Sequence, residues 1–250
     1  MNENLLAFHV HLFLNTFKML QNITPSLNIF FGLTTLVCLF LVYKILKSSL
    51  KTQRHSLNIC MGFVVWMSIQ AVLTLNGFYA NNPNSFPPKI VLFGILPMMV
   101  LTILVLIIPQ TRKVIDSFSI VSLTNLHLVR IPVEIALYWL FLQKAIPEIM
   151  TFEGRNFDIL AGISAPLMVY FYKKSMNPKL LIAWNIMALI LLANIVFTAI
   201  FSTETPLQKF GFEQPNIAII HFPFSWLATF IVPAVLFAHL ASLRILLKKA

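Results

Sequence analysis

Apolar residues run along this chain in long stretches, and polar residues gather in short clusters between them. A helix needs about 20 mostly apolar residues to cross the hydrocarbon core of a bilayer. Seven stretches approach that length: residues 27–46, 57–78, 90–109, 120–142, 159–172, 180–201 and 217–240. The fifth is short, so it either begins earlier, near Asn156, or stops before a full crossing. The pattern predicts an all-α, polytopic membrane helix bundle of about seven transmembrane helices, forming one domain over residues 27–250. Residues 1–26 stand apart. His9, His11, Asn15 and Lys18 interrupt their apolar run, which predicts an interfacial amphipathic segment. Neither a basic leader region nor a small-residue cleavage site marks a signal peptide. Met19 offers an alternative start just before the first span.

The clusters between the runs alternate in charge. Lys44, Lys47, Lys51 and Arg54 fill the first connection, Arg112 and Lys113 the third, and Lys173, Lys174 and Lys179 the fifth. Arg244, Lys248 and Lys249 lie at the C-terminus. The opposite side holds only Lys18, Lys89, Lys144, Arg155 and Lys209, together with six of the eight acids. Basic loops stay in the cytoplasm, so the N-terminus is expected outside and the C-terminus inside. This orientation needs an odd number of spans.

Composition agrees. Only 10% of residues are charged, against roughly 25% in soluble domains. The net charge of +10 is spread over several loops rather than gathered in one patch, which argues against nucleic acid as a partner. The partners expected are the lipid bilayer and a small polar or anionic ligand. Cys38 and Cys60 both fall in apolar runs, without zinc-type spacing, and read as buried free thiols. No metal or cofactor is implied.

Arg130 is the anomaly. It lies near the middle of the fourth run, Ile120–Leu142, with His127 three residues before it and Glu134 four after. A central charge costs about 2.5–3.5 kcal/mol on an insertion scale, and such residues by default mark functional sites. At helical spacing Asp116, Ile120, Leu123, His127, Arg130, Glu134 and Tyr138 share one face, which must therefore point into the bundle. Val129, Val133, Leu137 and Leu140 are left for lipid or neighbouring helices. Arg130 and Glu134 are expected to pair at i,i+4. Pro132 lies between them, frees the carbonyl of Leu128 and predicts a kink.

The loop after this helix packs Glu153, Arg155, Asn156 and Asp158 around Gly154, with Phe152 and Phe157 alternating. Glycine permits a turn there, and Asn156 or Asp158 is placed to cap the fifth helix. On a functional reading, Arg155, Asn156 and Asp158 roof the cavity that Arg130 and Glu134 floor. His221 is predicted near the outer end of the seventh helix, with Ser225 and His239 on roughly the same face and bends at Pro223 and Pro233. Gln70, Asn185 and Asn194 are expected to hydrogen-bond between helices.

Arg130-Ile-Pro-Val-Glu134, Met150-Thr-Phe-Glu-Gly-Arg-Asn-Phe-Asp158 and Ala161-Gly-Ile-Ser-Ala-Pro166 together resemble a group of uncharacterised bacterial multi-pass membrane proteins. The resemblance covers about the central fifth of the chain. It implies a bacterial inner (plasma) membrane and no particular activity. Other seven-helix families fit poorly. The seventh run has no lysine for a retinal Schiff base, no His-x-x-x-His pair supports a ceramidase-type metal site, and Pro109-Gln-Thr-Arg112 departs from the receptor Asp-Arg-Tyr motif.

Three functions are compatible with this pattern. The first is binding, sensing or translocation of a small polar or anionic solute around Arg130 and Glu134, with no catalysis. The second is a membrane-embedded enzyme acting on a lipid-like substrate through His127, Glu134, Asp158 and His221. The third is a structural or assembly role in which the ion pair only joins helices.

Overall fold

The computed structural model describes residues 23–49, 53–81, 85–175 and 177–248. The expected interfacial segment up to residue 22 lies outside the described residues, as do Lys51 and Lys249. Regular structure among the described residues is entirely helical.

The chain begins with α1 (Pro25–Lys47) and α2 (Gln53–Leu75). It continues through α3 (Val91–Ile107) and the short α4 (Pro109–Ile115), which turns from α3 by 87°. Next come α5 (Ile120–Leu142), α6 (Ile159–Ser175), α7 (Pro178–Phe201) and α8 (Leu227–Leu247). Helices α1, α2, α5, α7 and α8 are each long and apolar enough to cross a membrane, and α3 with α4 makes a sixth if counted as one bent span. Helix α6 has 17 residues, matching the expectation that the fifth run is short. It begins at Ile159, with Asn156 in the preceding loop. The seventh run starts later than expected. Residues 218–220 form a separate 3-10 turn, and the helix extends past residue 240 to Leu247.

Two helices form the centre. In α5 61% of the most apolar window is buried and in α8 56%, against 17–28% in α1, α2 and α7. The outer helices expose rows of large apolar side chains, including Ile29, Leu33 and Phe40 on α1 and Val65 and Val72 on α2. Exposed apolar surface on this scale marks a lipid or protein contact. Val129, Val133, Leu137 and Leu140 face neighbouring helices, being 7% exposed or less.

Prolines shape the central helices. Pro97 cannot donate to the Phe93 carbonyl, nor Pro233 to that of Thr229. The backbone widens into π turns at Val91–Ile95 and Leu227–Ile231, just before each proline. Helix α2 satisfies both freed carbonyls. Gln70 Nε2 donates to the Phe93 oxygen at 3.1 Å and Trp66 Nε1 to the Thr229 oxygen at 2.9 Å. The π turns pack against each other at Gly94, where a Cβ would come within 2.7 Å of Thr229. In α5 the expected kink takes another form. A 3-10 turn at His127–Val129 restarts the helix at Arg130, so Pro132 falls in a first turn, where a missing donor is tolerated.

The connections collect at two ends. At one, Gln143 bonds Thr24, and Ile217 and Ala218 both donate to the Ala145 carbonyl. At the other, Asp116 accepts from Arg244 at 2.8 and 3.1 Å and also from Lys248. The second end carries the basic loops.

Candidate functional site

Arg130 is 2% exposed and Glu134 1%, so the α5 charges do face inward. Their pairing differs from the i,i+4 expectation. Arg130 Nε lies 3.2 Å from Asp158 Oδ2, while Arg130 Nη2 donates to the Ala188 carbonyl of α7 at 3.3 Å. The Asp158 contact is a charge contact and lacks hydrogen-bond alignment at Nε. Glu134 Oε2 instead accepts from Asn156 Nδ2 at 2.6 Å. The reason is geometric. The loop before α6 is folded tightly enough to bring its own partner to each of the two α5 charges.

Asn156 organises that loop. Its amide also donates to the Met150 carbonyl at 3.0 Å, and its Oδ1 accepts the Asp158 backbone N–H at 3.0 Å. Two glycines allow the approach. At Gly154 a Cβ would collide with the Glu148 carbonyl and sit 2.7 Å from Ile149 Cα. At Gly162 it would sit 2.9 Å from Ile131 Cγ1 and 3.3 Å from Arg130 Cβ. Gly162 therefore lets α6 lie directly against α5 and brings Asp158 to the guanidinium. The role of Gly154 is close packing rather than a positive φ.

Asn156 and Asp158 thus join the cluster as expected, but four other predicted residues do not: Arg155, Tyr138, His221 and His127. Arg155 is exposed and bonds through its backbone: its carbonyl accepts from Asn194 Nδ2 at 2.8 Å and its N–H donates to the Ile149 carbonyl at 3.3 Å. Tyr138 is half-buried, with its ring tilted against Phe152 at 4.8 Å, so it belongs to the rim beside the loop. His221 precedes α8 in an irregular segment, with Nδ1 2.8 Å from the Ile217 carbonyl.

His127 is fully buried but turns away from Glu134 towards α8. Its ring stacks on His239 at 3.9 Å, and Trp184 closes on it edge-on at 5.3 Å. His239 Nδ1 lies 2.8 Å from Asn185 Oδ1. Helical periodicity placed His239 with His221 and Ser225. In the bundle it belongs with His127, because the 3-10 turn rotates the start of α5 towards α8.

An apolar chamber opens beside the cluster. Val133, Leu137, Leu140, Leu192, Phe224 and Ile231 contribute to its walls, and Arg130, Glu134, Asp158 and Asn216 are its polar residues. About 80 Å³ is available to the centres of water-sized spheres, well above the roughly 10–15 Å³ that one water needs. All its α5 residues lie from Arg130 onward and all its α8 residues up to Val235, so Arg130 is its floor. Asn216, which donates to the Ala199 carbonyl at 3.2 Å, had no signal in the sequence beyond its residue type. Two cluster atoms in this region have no protein partner despite burial: Arg130 Nη1 and Asp158 Oδ1.

The chain belongs to the family described as Domain of unknown function (DUF8737), whose model matches residues 87–247. The match runs from α3 to α8 and includes the Arg130 cluster and His239. No curated protein and no solved structure matches the chain.

Proposed function

We propose that this chain is an integral membrane protein of a bacterial inner membrane that binds one small amphiphilic molecule in the chamber beside Arg130. Seven crossings follow if α3 with α4 counts as one and α6 as another, with the N-terminus outside and the basic end in the cytoplasm. The exposed apolar rows on the outer helices and the two-ended grouping of the loops support this arrangement.

The observation that carries the reading is an apolar chamber whose lining includes a buried ion pair. Ligand sites of this kind pair apolar walls with a few placed polar groups. Val133, Leu137, Leu192 and Ile231 suit an apolar body. Arg130, Glu134, Asp158 and Asn216 border that body on its polar side, which suits a small polar head such as an alcohol, an amide or a protonated acid. A wholly polar or anionic solute fits less well, because the walls are apolar and two carboxyl groups flank one guanidinium. Enzymatic use of His127, Glu134, Asp158 and His221 is also disfavoured. His127 stacks on His239, and His221 bonds within its own segment. The chamber stops at Arg130, which favours binding or sensing over an open path.

Ala228 lines the chamber, and Ala228→Phe fills it without touching the ion pair. Organic extraction of the purified protein followed by mass spectrometry should recover an amphiphile from the wild type that is depleted from the variant. Equal recovery of every lipid from both proteins would overturn the reading.

A further inference from the structure

A second group of buried polar atoms lies on the other side of Arg130, outside the chamber. Thr124 Oγ1, both ring nitrogens of His127, His239 Nε2 and Ser242 Oγ are all buried with no protein partner. The residues are 1% exposed or less. They come from two helices in contact, one turn apart on each: Thr124 and His127 on α5, His239 and Ser242 on α8. A buried polar atom left unpaired is costly, and five such atoms on two facing helix turns need a common explanation.

The hydrogen bonds fix what His239 offers. Asn185 Nδ2 donates to the Leu181 carbonyl at 2.8 Å, which turns its Oδ1 to the histidine. His239 Nδ1 must then carry the proton that it donates to Oδ1. Nε2 is left as a buried lone pair that can only accept. The hydroxyls of Thr124 and Ser242 can each donate and accept, and a neutral His127 offers one donor and one acceptor. The set therefore suits a small neutral partner with both donors and acceptors. A metal ion suits it poorly. Stacked rings inclined at 25° aim their lone pairs side by side rather than at one point, and among the described residues no three His, Cys, Asp or Glu gather.

We propose that His127, His239, Thr124 and Ser242 form a bound-water site beneath Arg130, separate from the ligand chamber. Buried waters typically make about three hydrogen bonds to otherwise unpaired groups, and this site supplies them. Water there also solvates the inner side of the guanidinium, easing the burial of its charge. The inference does not depend on what occupies the chamber.

X-ray hydroxyl-radical footprinting of the full chain in nanodiscs, in ¹⁸O-labelled water, tests it, because water held beside a side chain generates the radical that oxidises it. His127 and His239 should take up ¹⁸O at a rate comparable with exposed His55. Phe230, 1% exposed and outside the chamber lining, is the dry reference. Thr124→Val with Ser242→Val should lose most of the histidine label. Labelling of both histidines at the Phe230 rate in the wild type would overturn the site, whether or not the variant folds. Retention of the full label in a folded variant would also overturn it.

Discussion

Arg130 takes its counter-ion from Asp158, at the end of the loop before α6, and not from Glu134 one turn along its own helix. The pair thus ties α5 to the start of α6, where an i,i+4 pair would have tied α5 only to itself. Glu134 serves a different purpose, as the acceptor that holds Asn156.

The first prediction follows from that division. Removing one partner of a buried ion pair costs about 3–5 kcal/mol, whereas replacing both with apolar groups is often neutral. Asp158→Ala should destabilise strongly in detergent unfolding experiments. Arg130→Leu with Asp158→Leu should cost less than either single change. Glu134→Gln keeps an acceptor for Asn156 and should cost least. If Glu134→Gln proves more damaging than Asp158→Ala, the pairing is wrong.

Much of this was readable from the sequence, and the unreadable part has physical causes. Arg130 stands out because a charge inside an apolar run has few explanations. Gln70 was legible as an interhelical donor, although its acceptor depends on Pro97 freeing the Phe93 carbonyl. The choice of Asp158 over Glu134 was not legible, because it depends on how closely α6 approaches, and so on Gly162. In the sequence His239 falls on one helical face with His221 and Ser225. Its pairing with His127 required the 3-10 turn at His127–Val129, which helical periodicity does not reveal. The start of the seventh helix was misplaced because residues 217–224 are as apolar as the helix that follows.

Gly162 gives the second prediction. A Cβ there would sit 2.9 Å from Ile131, so Gly162→Val must push α6 from α5. Overpacking of this kind costs about 1–3 kcal/mol. At Gly62, by contrast, a Cβ would meet nothing within 4 Å, and Gly62→Ala should instead stabilise by up to about 1 kcal/mol through helix propensity. Thermal unfolding of the two variants should therefore shift in opposite directions. A neutral Gly162→Val would refute the close approach.

The basic end carries the third. Partial burial raises the Asp116 carboxyl, but hydrogen bonds from Lys248 and Arg244 and their charges outweigh this and hold it below its ordinary value. A lowered folded-state value means stability that is fully present above the ordinary aspartate range, near pH 4, and lost as pH falls through the lowered value. Wild type should melt above Asp116→Asn at neutral pH, with the gap closing below about pH 4. A gap that stays constant down to the acid limit would contradict the clasp.

The most direct test of the chamber is native mass spectrometry from lipid nanodiscs, comparing wild type with the Arg130→Leu, Asp158→Leu double variant at matched thermal stability. The account predicts a bound small mass on the wild type that the double variant has lost. The same mass on both proteins, or none on either, would contradict it.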